Sequence, residues 1–382
     1  MYEIYKGKAL DKWEKKIYRL GLPKDDYDRV LRHYIGCMIW GNHFMPIKKL
    51  ISFIIFPVIY CMTTKRKNIV HLDTIDAVLT CPDKAYMVSD EELPAEIRNS
   101  YKKIIRVYYN KNSIINSIIS YTLDNEGRKI SRTCFKKFPF VPFMNVAVLL
   151  HLCRIYMLIM QYRPKAIITT QTEQDFTASI ITRYCEDKGI KYICIQHGEY
   201  CYNPSMAFFR FSEYYAWNRE TIDILELTNT NINYAHIYTP ERLKQKYKKK
   251  EQPDFYITYY LSNETETEVL EIRKILLKFV ESGFPCSIRK HPRALSKEFI
   301  FDTFSETGIN IEDCNLVSIG DSISNTKYIV AYRSTVLSEG IANSMSVVID
   351  DIVGDVEFLA RVHDINLKRT SLRLSMLMDK CI

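Results

Sequence analysis

Pro285–Arg293 reads PCSIRKHPR and Lys327–Asp351 reads KYIVAYRSTVLSEGIANSMSVVIDD, and these two stretches decide the fold. Cys286–Arg289 is a short strand stopped by Pro292, which has no backbone N–H to carry it on. Arg289, Lys290, His291 and Arg293 are therefore expected at the strand's carboxyl edge. Tyr328–Ala331 is a second strand, followed by Arg333, Ser334 and Thr335 and then by the apolar-periodic run Val336–Ala342. Ser334 or Thr335 would cap that helix, whose first backbone N–H groups have no partner within it. A helix start with hydroxyls and open N–H groups, facing His, Arg and Lys, selects an anion. In an open α/β sheet both pieces fall at the carboxyl ends of strands, where ligands bind. The expected ligand is a phosphate or diphosphate ester. Alone, a His-Pro pair is a turn and a Ser-Thr pair is a cap. The two in order, with Glu339 one turn further on, carry the argument.

The flanking sequence alternates in the same way. Asp254–Tyr260 and Val347–Ile349 read as strands, the latter ending in Asp350-Asp351, and Glu264–Ser282 reads as a helix stopped by Gly283. A weaker helix is expected near 296–306, with closing helices at Glu357–Asp364 and 370–379 that cross back to the first domain. Upstream, strand Lys165–Thr169, helix Phe176–Lys188 (stopped by Gly189) and strand Ile190–Ile195 form a βαβ unit. It sets Glu173, Asp175, His197 and Glu199 on neighbouring strand edges. Asp76–Thr80, Lys103–Tyr109 and Ser212–Asn218 add strands; Glu91–Tyr101, Asn145–Gln161 and Thr221–Leu227 read as helices. The basic stretch 238–253, bounded by Pro240 and Pro253, reads as the interdomain linker, and its KQKYKKK run as a solvated face. The fold class is thus α/β: two Rossmann-like domains facing a cleft, with an N-terminal helical appendage. The boundaries fall at 1–68 for the appendage, 69–240 for an N-terminal Rossmann-like domain, 254–360 for a C-terminal one and 361–382 for the closing helices. No internal repeat is visible.

Composition narrows the function. With 382 residues, 47% hydrophobic and 26% charged, the chain is long and apolar enough for two cored domains. An excess of 53 Lys+Arg over 45 Asp+Glu suits an anionic substrate or a membrane surface. No arginine-rich arm, zinc-finger spacing or RNP-like aromatic motif is present, so no nucleic-acid partner is expected. The 11 cysteines form no CxxC pair and suit a reducing cytoplasm without disulfides. Met1–Arg32 is too charged for a secretory leader. Leu50–Met62 (LISFIIFPVIYCM) is too short to span a bilayer; between Lys48-Lys49 and Lys65-Arg66-Lys67 it reads as a buried helix or as a monotopic contact with anionic lipid.

Gln196-His197-Gly198 after a strand, Lys290-His291-Pro292, and Ser334-Thr335-Val336-Leu337-Ser338-Glu339 resemble bacterial two-domain (GT-B) glycosyltransferases of surface polysaccharides. Nearest are the capsule and lipopolysaccharide enzymes that use CMP-linked Kdo or sialic acid. The polyol-phosphate polymerases that use CDP-glycerol or CDP-ribitol have a similar layout. The resemblance covers about residues 165–351. It implies that His291, Ser334 and Thr335 bind the donor phosphate, that Glu339 sits near the ribose, and that Gln196, His197 and Gly198 form the facing wall. It implies a cytoplasmic transferase, peripheral to the membrane, with a nucleotide sugar as donor, a glycan or lipid-linked acceptor and no further cofactor. The paired-acid-plus-glycine motif of the sialyltransferases is absent as a clean match.

The chemistry requires one carboxylate or imidazole within hydrogen-bond reach of the acceptor hydroxyl. Glu173, Asp175 and Glu199 are the candidates, Asp175 first, although Asp175 reads equally as the cap of the following helix. No DxD, HExxH or Cys/His cluster has ligand spacing, so no metal is expected. Leaving-group charge would fall to Arg289, Lys290, His291, Arg293 and the Ser-Thr helix start. The absence of GxGxxG argues against an NAD enzyme. A non-catalytic nucleotide- or glycan-binding partner of polysaccharide assembly is the reading from another class.

Overall fold

The computed structural model describes residues 11, 12, 15, 22–41, 55–61, 63, 74–81, 88–108, 122–170, 173, 175–231, 234–244, 246–262, 264–291 and 296–382. The chain divides into two compact units, Met1–Gly198 with Tyr202–Tyr238, and Glu199–Cys201 with Thr239–Ile382. Each is an α/β unit built on one parallel sheet.

The first sheet takes β1 (Ala77–Cys81), β2 (Ile104–Tyr108), β3 (Ala166–Thr170), β4 (Lys191–Ile195), β5 (Glu213–Ala216) and β6 (Ala235–Ile237) in the order β2-β1-β3-β4-β5-β6. AVLTC and AIITT are unbroken runs without alternation, as strands covered on both faces require, and every residue of both is buried. Pro142–Tyr162 packs into this unit through Val148, Leu149, Leu152 and Ile155. Among the described residues it is the one helix long and apolar enough to cross a bilayer, yet half of that stretch is buried inside the unit. A core helix accounts for its composition. Gly189, with φ +71°, ends the Ala178–Glu186 helix in the left-handed conformation that glycine adopts without strain.

The Asp26–Gly41 helix corrects the expected appendage. Val30 and His33 are fully buried, and Arg210 grips Asp26 at 2.9 and 3.2 Å and Glu186 at 2.7 Å, so this helix belongs to the first unit. Its charged residues suggested a solvated segment, but Tyr27, Val30, His33 and Tyr34 give it a buried face. Helix Asn125–Lys137 was not expected at all. It buries only Gly127, Ile130, Ser131 and Cys134, and its Asp124 cap accepts from Gly127 N at 2.9 Å.

The second sheet takes β7 (Phe255–Tyr260), β8 (Cys286–Arg289), β9 (Asn310–Glu312), β10 (Thr326–Ala331) and β11 (Ser346–Ile349) in the order β11-β10-β7-β8-β9. Its core gathers Ile257, Tyr259, Leu276, Phe279 and Ile288 with Leu374 and Leu377 of the last helix. The closing segment therefore packs on the second unit instead of crossing back, and the unit runs on past 360 to Ile382. The basic run 246–250 also lies on this unit: Lys246 Nζ donates to Ala342 O and Tyr247 N to Asn343 Oδ1. Gly283, φ +84°, closes the Glu266–Glu281 helix. Gly340 serves a different need. A Cβ there would lie 2.7 Å from both Ile329 Cδ1 and Val347 Cγ2, so its absence lets the Thr335–Ala342 helix sit directly on β10 and β11.

Candidate functional site

Strand order locates the candidate site before any side chain is considered. Counted from β7, the second sheet runs 3-2-1-4-5, the doubly wound order, and it reverses between β7 and β10. Ligands of such sheets bind outside the carboxyl ends of the strands at that reversal. Tyr260 is in register with Arg289, Tyr259 with Val330, and Leu261 N donates to Arg289 O at 2.9 Å. The chain therefore leaves three adjacent strands at one level: Lys290-His291 from β8, Ser262 and Glu264 from β7, and Arg333-Ser334-Thr335 from β10.

Each piece is held locally. Ser334 is extended, with φ −155° and ψ 147°, and its Oγ accepts from Val336 N at 3.4 Å, which makes it the cap of the Thr335–Ala342 helix. His291 is half-buried, and Lys290 Nζ donates to its carbonyl at 3.1 Å. A hollow of about 500 Å³ opens beside Lys290, lined also by Lys297, Phe301, Asp313 and Cys314. Arg293 lies outside the described residues. Arg289, expected among the anion's ligands, is committed elsewhere: it is buried and bonds Glu312 Oε2 at 2.7 Å and Val317 O at 2.9 Å. Ser322 Oγ donates to the same carboxylate oxygen at 2.6 Å. Glu339 is buried in its helix, 3.5 Å from the Tyr247 hydroxyl. Burial, then the Glu339 charge, pushes the Tyr247 phenol up to about 12.

Sequence reasoning missed Glu264. It stands just beyond β7, between the two motifs, and is 9% exposed with Ser262 N donating to its carboxylate. Burial raises this carboxyl to about 7 against the pull of the Ser262 and Glu264 backbone hydrogen bonds; Glu268 and Asp350 push in the same direction as burial. The available signal was positional: a polar Ser-Asn-Glu directly after the strand that the sheet order makes central.

Glu199, expected beside Asp175, groups with the second unit, where Ser338 Oγ lies 2.6 Å from its Oε2 and 2.7 Å from Asn366 Oδ1. Arg333 Nη2 reaches Cys201 Sγ at 2.8 Å in the same unit. Glu199 is thus engaged by Ser338.

The first sheet reverses between β1 and β3, the other common doubly wound order, with Thr170 Oγ1 donating to Cys81 Sγ at 3.3 Å across the ends of those strands. Gln171, Thr172 and Gln174 lie outside the described residues. Glu173 is buried and accepts from Tyr214 OH at 3.3 Å. Asp175 follows, its side chain 30% exposed. Its Oδ1 accepts from Thr177 N at 3.0 Å and Thr177 Oγ1 at 2.7 Å, and its Oδ2 lies 3.1 Å from Nδ1 of buried His151. Burial alone would raise this carboxyl. The Coulombic pull of His151 and the hydrogen bonds from His151 and Thr177 outweigh it and hold Asp175 well below the usual carboxylate range. His33, fully buried with Nε2 2.8 Å from Ser205 O, is pushed down to about 4 by burial, partly offset by hydrogen bonding to Ser205.

Gln196 is a structural bracket: its Oε1 accepts from Trp217 N at 2.6 Å and its Nε2 donates to Gly198 O at 2.7 Å. His197 and Gly198 remain half-buried at the carboxyl end of β4. Among the described residues no group of three or more His, Cys, Asp or Glu side chains could hold a metal ion.

No protein-family model matches the chain. No curated protein matches it either. Among solved structures it is similar to the UDP-N-acetylglucosamine 2-epimerase of Rickettsia bellii, with 13% identity, 72% of this chain and 78% of that chain covered and a TM-score of 0.44. The UDP-GlcNAc 2-epimerase of Methanocaldococcus jannaschii gives 10% identity, 73% and 83% coverage and 0.46. The glycosyltransferase SnogD of Streptomyces nogalater gives 12%, 80% and 98%, and 0.35. These are similarities between folded chains and say nothing of which residues of this one react.

Proposed function

We propose that the protein is a GT-B glycosyltransferase that moves a sugar from a nucleotide donor, CMP-linked Kdo or sialic acid, to a growing or lipid-linked bacterial surface glycan. The observation that carries this reading is the placement of His291 and the Ser334-capped helix start after the two strands that flank the central strand of a doubly wound sheet. That position suits a phosphate: imidazole from one side, hydroxyls and helix N–H groups from the other.

In this reading the second unit holds the nucleotide. His291, Thr335 and the helix start take up charge as the sugar–phosphate C–O bond breaks and CMP departs. The first unit supplies the acceptor-side residues. As the new glycosidic bond forms, the acceptor hydroxyl proton passes to the Asp175 carboxylate, which is ionised at neutral pH and oriented by Thr177 and His151. Glu199, bonded to Ser338, is left with a structural task, and so is Arg289.

The test is a thermal-shift panel of CMP, CDP, UDP, UMP and GDP, repeated on His291→Ala. A ligand at 100 times its Kd stabilises the folded state by about 2.7 kcal/mol. CMP is expected to raise the melting temperature of the parent and to lose that effect in the variant, whose own melting temperature stays within 2 °C or so of the parent's. A response to CDP with a phosphate-bearing product would replace glycosyl transfer by polyol-phosphate transfer. Silence towards all five nucleotides would overturn the reading and favour a non-catalytic assembly partner.

A further inference from the structure

The Asn125–Lys137 helix and residues 55–61 lie side by side in the first unit. The Phe56 ring stacks on Phe135 at 4.5 Å and 7°, and the Arg128 guanidinium sits 5.5 Å over the Tyr60 ring. Phe56 thus meets position 135 while Tyr60 meets position 128, which makes the two helices antiparallel. Phe56 and Ile59 face inward and are buried. Ile55, Pro57, Val58 and Cys61 face solvent, Val58 57% exposed, and Tyr60 is half-buried.

The neighbouring helix leaves a different face in water. Lys129, Arg132 and Lys136 follow one another at the i, i+3 and i+7 positions and are all exposed. Within this helix Glu126 is the only acidic residue against five cations. Phe140 follows directly on its last turn, 87% exposed. A solvated helix has no need of an apolar neighbour with bare aliphatic side chains, and a protein-packing face has no need of a cationic row. Aliphatic residues beside a basic stripe, with an aromatic ring at its end, match a bilayer whose headgroups are anionic.

We propose that this pair of helices is a membrane-docking surface for anionic lipid: Val58 and Ile55 enter the headgroup–acyl boundary while Lys129, Arg132 and Lys136 meet the phosphates. The surface does not depend on the nucleotide site, since all of these residues belong to the first unit. Resting on the function proposed above, it would bring a transferase to a lipid-linked acceptor.

The experiment is co-sedimentation of the full chain with vesicles of phosphatidylcholine alone or with 30% or so phosphatidylglycerol. Binding to the anionic vesicles only is expected at low salt. Each cation near such a surface contributes about 1 kcal/mol, so the triple variant K129E/R132E/K136E should bind about a hundred-fold more weakly. Val58→Asp should also release the protein, and its binding defect should persist when salt is lowered. All four positions are exposed, so melting temperatures should match the parent. Equal binding to neutral and anionic vesicles, no binding to either, or parent-like binding by the triple variant would overturn the proposal. Release by the triple variant with Val58→Asp unaffected would also overturn it, by reducing the site to a general polyanion patch.

Discussion

The six-stranded sheet and the five-stranded sheet are both parallel and both doubly wound, yet their reversal points are furnished with opposite chemistry. At the end of the second sheet stand His291, Lys290 and a Ser-capped helix start, groups that attract negative charge. Beyond the end of β3 in the first stand Glu173 and Asp175, carboxylates held by Tyr214, Thr177 and His151. Their buried titrating groups differ in the same sense: a histidine pushed towards its neutral form in the first unit, a carboxyl pushed towards its protonated form in the second. One architecture, set with different residues after its strands, can thus take the two halves of a transfer reaction.

The largest effect that would sharpen this contrast is on turnover. Asp175→Asn keeps an oxygen for the Thr177 N–H and hydroxyl but removes the charge and the acceptor facing His151, and should lower kcat about 10²–10⁴-fold with donor affinity unchanged. Single-turnover rates at saturating donor would check it. Undiminished turnover would leave the first unit without its assigned base.

Next comes stability, and it separates neighbours. Arg289→Ala strands buried Glu312 without its cation and should cost about 3–5 kcal/mol in urea unfolding. His291→Ala, two residues along, should cost under about 1 kcal/mol while abolishing the CMP response. If the two variants behaved alike, the division between structural Arg289 and binding His291 would fail.

The pH profiles should then diverge. His33 has a folded value of about 4 against 6.5 unfolded, so its contribution is present above 6.5 and is lost as pH falls towards 4, about 3 kcal/mol in all. Glu264 runs the other way. With a folded value of about 7 against 4.5, its contribution is present below 4.5 and is lost as pH rises through 7, again about 3 kcal/mol. Unfolding of Glu264→Gln from pH 4.5 to 8 should therefore be flatter than the parent's at the alkaline end, and His33→Gln flatter at the acid end. The smallest effect is that of Ser334→Ala: about 1 kcal/mol for the lost cap, with a weaker nucleotide shift.

Much of this was legible in the chain itself. Cys286–Arg289 was read to the residue, and the cap was narrowed to Ser334 or Thr335, because Pro292 and the Val336 periodicity each act through local backbone chemistry. β6 and β9 were not read, since three residues give no period to detect. The Asn125–Lys137 helix hid behind its cations, and the buried face of the Asp26–Gly41 helix behind its polar neighbours. Arg289 and Glu199 show a further limit. A charged residue beside a motif reads as a ligand until its partners are known, and Glu312 and Ser338 are distant in sequence. Glu264 needed strand order, which only the folded sheet supplies.

Gly340 carries a consequence for how this chain can change over descent. Because the space beside it is already filled by Ile329 and Val347, a lineage that acquired alanine there would have to trim or shift both of those side chains in the same stretch of its history. Drift at three positions, scattered along the gene, is thereby tied together by a gap the width of one methyl group.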